Sequence, residues 1–166
     1  MGLDNIPNQY PCKTQGTAVL KDGQIDCEET QENGGCPYVK ELDKITQTYN
    51  EDQTLFASPV YGMFGTDCWY RGKWGNHLLK SLGYGGDSEY SFYGDNEDQT
   101  EKSPESCLEL ARIIDDSIYD IERDNADRDE ANIIRIDGQD ITADLRYASW
   151  YLKWASEHTN GLTCWY

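Results

Sequence analysis

The clearest periodicity in the chain runs from Cys107 to Ile121. Cys107, Leu110, Ala111, Ile114, Ile118 and Ile121 recur at helical spacing, with Asp115, Asp116, Glu122 and Arg123 largely on the other side. Such a stripe is the buried face of an amphipathic helix. Ser103-Pro104-Glu105 marks its start. The hydroxyl can accept an orphan N–H, the proline loses nothing in the first turn, and the acid faces the positive end of the helix dipole. A second long helix is predicted from about Ile141 to His158, with Asp140 as N-cap and Gly161 as stop. Its stripe is Ile141, Leu145, Ala148, Leu152 and Ala155; Tyr147, Trp150, Tyr151 and Trp154 widen it, so this helix is expected to be central. The apolar tail from Leu162 to Tyr166 is expected to tuck into the fold.

Shorter elements follow from weaker signals. The spacing predicts helices from Trp74 to Leu82, stopped by Gly83, and from Tyr38 through Leu42 and Ile45 towards Tyr49. Thr17–Leu20 and Gln24–Cys27 flank an Asp22-Gly23 turn and read as a hairpin. Glu89–Tyr93 alternates like a strand, and Ile133–Ile136 reads as a strand or a helix end. Before residue 41 the breakers Pro7, Pro11, Gly16, Gly23 and Gly34-Gly35-Cys36-Pro37 predict a loop-rich arm (1–40) packed on a 41–166 core. The expectation is a single α+β domain with two long C-terminal helices, shorter helices, and a small antiparallel sheet or hairpins.

At 166 residues and 37% hydrophobic, the chain can bury one core, much of it aromatic, with twelve Tyr and five Trp. No run of about 18 apolar residues is present, and the N-terminus lacks a basic region followed by an apolar stretch. A cytoplasmic chain that does not enter a membrane is expected. Charge narrows the partners. Thirty-one acids against 14 Lys and Arg give a net charge of -17, which opposes direct binding to nucleic-acid phosphates. The acids are spread without a long pure run, and three readings compete: a solvated acidic surface, adaptation to high salt, or a phosphate-like decoy for a nucleic-acid-binding protein. The leading expectation is a non-enzymatic, acidic interaction or accessory protein with a protein partner, of a kind that suits a halophilic or viral source. Asp127-Arg128-Asp129 opens like a calcium loop, but Ala131 and Gly138 stand where ligands belong, so the motif fails.

The cysteines carry the sharper chemistry. Cys12, Cys27 and Cys36 lie in turn-prone stretches of the arm, which most needs a staple, although no Cys-x-x-Cys pair is present. A zinc site on Cys12, Cys27 and Cys36, completed by Cys68 or His77, stands beside two alternatives: a Cys27–Cys36 or Cys12–Cys36 disulfide, or buried thiols. Cys107 belongs to a helical stripe and is expected to be a packed thiol. Cys68 with His77 as base and Asp67 as orienter is the one set resembling a cysteine nucleophile, although core packing of this aromatic segment is the main expectation. Arg71 and Lys73, interleaved with Trp69 and Trp74 and followed by Lys80, form the least negative stretch. They suit an anionic ligand stacked on the rings, or an aromatic core with snorkelling cations. His158, near the end of the last helix, is expected to complement its dipole.

Overall fold

The structure is a computed structural model that describes residues 2–37, 70–85, 89–126, 135–136 and 139–165. In chain order the elements are β1 (Asp4–Pro7), α1 (Pro11–Thr14), β2 (Leu20–Lys21), β3 (Gln24–Ile25), α2 (Cys27–Glu32), β4 (Tyr70–Arg71), α3 (Gly72–Ser81), β5 (Glu101–Lys102), α4 (Pro104–Asp124), β6 (Arg135–Ile136), β7 (Gln139–Asp140), α5 (Thr142–His158) and β8 (Leu162–Trp165). The fold is α+β. Among the described residues no helix is long and apolar enough to cross a membrane.

The two long helices form as their sequences dictate. Ser103 caps α4, its Oγ accepting the Ser106 N–H at 3.1 Å, and Cys107, Leu110, Ala111, Ile114 and Ile118 are buried. Helix α5 buries Leu145, Ala148, Leu152 and Ala155 together with Tyr147, Tyr151 and Trp154, which makes it the central helix. Its N-cap is Ile141 rather than the expected Asp140, which ends β7 and whose carboxylate accepts the Thr142 N–H at 3.0 Å. Polar pairs also link α4 to α5: the Asp115 carboxylate accepts from the Ser149 hydroxyl and pairs with Lys153, and Glu122 pairs with Arg146.

A four-stranded antiparallel sheet, in the order β4-β1-β8-β5, closes the other side. Paired residues share a face. The inner face carries Tyr70, Asn5 and Cys164 in one row and Pro7, Leu162 and Lys102 in the next; the outer face carries Arg71, Asp4 and Trp165, then Ile6, Thr163 and Glu101. The first strand thus goes further than packing on a core, since it lies inside the sheet. It also inverts the usual pattern, with Asn5 fully buried and Ile6 half-exposed. The Asn5 amide makes this possible by donating to Phe92 O at 2.8 Å and to Cys164 Sγ at 3.2 Å, while Tyr151 OH donates to Asn5 O at 3.1 Å. Tyr70 stacks with Phe92 and with Tyr151, the ring centroids 5.1 Å apart in each pair.

Several local expectations differ from the structure. Glu89–Tyr93 is not a strand: side chains satisfy Phe92, whose N–H donates to Asn76 Oδ1 at 2.7 Å and whose carbonyl accepts from Asn5. Its ring lies against Gly75, where a Cβ would collide with it. The hairpin is shorter than expected, only β2 and β3, turned by Asp22 and Gly23 at φ 52° and 80°, as a tight two-residue turn requires. Cys27 begins α2 instead of ending a strand, because the Asp26 carboxylate caps the Glu29 N–H at 3.0 Å. Residues 135–136 take the strand alternative, paired with β7, α3 starts at Gly72 rather than Trp74, and the apolar tail is β8. The helix expected from Tyr38 to Tyr49 and the aromatic run at 55–69 lie outside the described residues.

Candidate functional site

Between Asn8 and Pro37 only Cys12 and Thr30 are buried. Backbone and hydroxyl hydrogen bonds do the folding there. Thr17 N and Ala18 N both donate to Cys12 O, at 2.8 and 3.1 Å, and Gly35 N donates to Thr30 O at 2.8 Å. The Thr30 hydroxyl donates to Asp26 O at 2.6 Å and accepts the Val19 N–H at 2.9 Å; the Thr17 hydroxyl donates to Gly35 O. These bonds draw the end of α1, the hairpin and the end of α2 together.

As a result Cys12 from α1, Cys27 from the first turn of α2 and Cys36 from the turn after it line a single cavity, closed on the core side by Trp154 of α5. Its volume of about 20 Å³ holds one water-sized occupant. Neither arm disulfide is formed; all three residues are thiols. Burial pushes the Cys12 thiol up, and nearby Cys36 adds to the shift. A raised thiol pKa is the opposite of what an activated nucleophile needs. As the side chains stand, no group of three His, Cys, Asp or Glu among the described residues is arranged to hold a metal ion. Cys68 lies outside the described residues, and His77 is not among the residues lining the cavity.

The other two described thiols belong to the core. Burial raises Cys107 to about 12 and Cys164 to about 11. Both are packed, as expected for Cys107, and protonated at neutral pH.

The basic–aromatic candidate is spread over β4 and α3. Arg71 is on the outer sheet face, and Lys73, His77 and Lys80 are exposed on α3. Trp74 is half-buried against the core, with the His77 ring stacked on it at 5.1 Å and 23°, so the imidazole already occupies one face of the indole. Asp67 and Trp69, like Cys68, lie outside the described residues.

Three features escape sequence reasoning. Trp165 is 66% exposed, in register with Asp4, which is itself paired with Arg71; the alternation of β8, with Leu162 and Cys164 inside, is the signal that could have placed it. Lys102 is only 5% exposed, with Nζ 2.8 Å from Asp95 Oδ1. The Asp95 carboxyl, although partly desolvated, is held below its ordinary range by Lys102 and by the Ser103 N–H. In the first turn of α5, burial and the neighbouring Asp140 push the Asp144 carboxyl up to about 6.

Comparison with protein-family models, with curated proteins and with solved structures finds no match to this chain.

Proposed function

We propose that this chain is a non-enzymatic interaction protein that docks a basic protein on the outer face of its sheet. One observation carries the reading: Trp165, two-thirds exposed, stands in a row with Asp4 and Arg71. Trp and Arg are the residue types that most often anchor protein interfaces. A net charge of -17 attracts a partner of opposite sign and disfavours a second copy of the chain. On the exposed side of α4, Arg112 and Arg123 interrupt Glu105, Glu109, Asp116 and Asp120, which favours an anchored protein surface over a uniform phosphate decoy.

The test replaces Trp165 by a photoactivatable phenylalanine analogue, identifies the cross-linked protein, and then measures binding with both proteins purified. The expected partner is basic. Its affinity falls about tenfold or more for Trp165→Ala and falls again as salt is raised. Absence of any adduct, or equal affinity of Trp165→Ala and the unaltered chain, overturns the reading.

A further inference from the structure

Residues 8–37 pose a physical problem. Thirty residues carrying two helices and a hairpin hold only Cys12 and Thr30 buried, a small core to set against the entropy of ordering a segment of that length. Small units without a core are commonly held by disulfides or a structural metal. No disulfide joins Cys12, Cys27 and Cys36. What the arm does hold is a cavity of about 20 Å³ that these three cysteines line with Pro11, Thr30 and Trp154. A trapped water needs two to four polar partners, and this lining offers few; an ion with an affinity for sulfur suits it better.

We propose that Cys12, Cys27 and Cys36 close on one zinc ion in this cavity, and that the ion does for the arm what a hydrophobic core does for the rest of the fold. Three thiols lose three protons to solvent, and three Zn–S bonds form with no change of oxidation state; the fourth tetrahedral position is left to water or a further donor. The three residues come from α1, from the start of α2 and from the turn beyond it, so one ion ties the two helices of the arm and the turn after them together. As the side chains stand the three sulfurs are not arranged around one point, so closure needs their rotation to other staggered rotamers. Indirectly, the ion would also fix the arm against Trp154 of α5.

The test uses the full chain, purified under reducing conditions, stripped of metal and titrated with Co2+ and then Zn2+. Expected are one equivalent bound, a near-ultraviolet thiolate-to-cobalt charge-transfer band, displacement of cobalt by zinc, and protection of three thiols from a disulfide reagent. Cys27→Ser and Cys36→Ser, at half-exposed positions, are expected to weaken binding by about 100-fold or more while keeping the helical circular dichroism of α4 and α5. No charge-transfer band in the unaltered chain overturns the proposal. So does a band that survives in both variants, or a Cys12–Cys36 or Cys27–Cys36 disulfide found by peptide mapping. Docking through Trp165 can fail without affecting any of these readouts.

Discussion

Helices α4 and α5 bury a full stripe each, from Cys107 to Ile118 and from Leu145 to Ala155, and Phe92, Tyr70 and Leu162 fill in around them. Residues 8–37 bury Cys12 and Thr30, and otherwise rely on hydrogen bonds that converge on Cys12 O, Thr30 and Gly35. Contrasting thiols follow from this difference. Cys107 and Cys164 lie inside the core and act as small hydrophobes, whereas Cys12, Cys27 and Cys36 line one cavity in an arm that buries only Cys12 and Thr30. Where packing suffices, a cysteine is one more apolar side chain; where it does not, clustered cysteines can supply the missing link.

The largest effects should therefore fall on the core. Leu145→Ala is expected to cost about 3–4 kcal/mol in urea unfolding, against less than about 1 kcal/mol for Val19→Ala in the arm. Equal costs would break the contrast. Gly75→Ala, which drives a methyl group into the Phe92 ring, is expected to cost about 1–3 kcal/mol by overpacking.

A pH effect of intermediate size belongs to Asp144. Its folded carboxyl titrates at about 6, above the ordinary value of 3.8, so the fold favours the neutral form. That contribution is fully present below about pH 4 and is lost as pH rises through about 6. Asp144→Asn should be more stable than the unaltered chain by about 1–2 kcal/mol at pH 7, after allowance for partial exposure, and the gap should vanish near pH 4. Thermal melts at both pH values check this; a gap that widens on acidification would refute it. Within the core helices the smallest effect is expected of Ser103→Ala, about 1 kcal/mol from loss of the α4 cap, measured in the same melts.

The same contrast explains what the sequence shows of the fold. Helix α4 is readable because everything that makes it is local: a serine cap, a proline and a stripe within twenty-odd residues. Strand β1 is not readable, because its partner β8 lies at the other end of the chain and because Asn5 points in while Ile6 points out. The Phe92 carbonyl and Cys164 accept from the buried amide nitrogen of Asn5, and neither is visible locally. Glu89–Tyr93 misleads for the same reason, since Asn76 and Asn5 take the bonds a neighbouring strand would make. For the candidate site, the turn-prone settings of Cys12, Cys27 and Cys36 pointed to one region, and the three meet at one cavity. The enclosing role of Trp154 needed the fold, as did the exposure of Trp165.

Amide hydrogen exchange on the zinc-loaded and chelator-treated chain tests most directly whether the arm is held by its cysteines and the core by its packing. The amides of Thr17, Ala18 and Gly35 should exchange at least about tenfold faster after chelation, a loss of about 1.4 kcal/mol, while those of Ile114 and Leu152 keep their protection. Arm amides that ignore chelation, or arm and core amides that respond together, would contradict it.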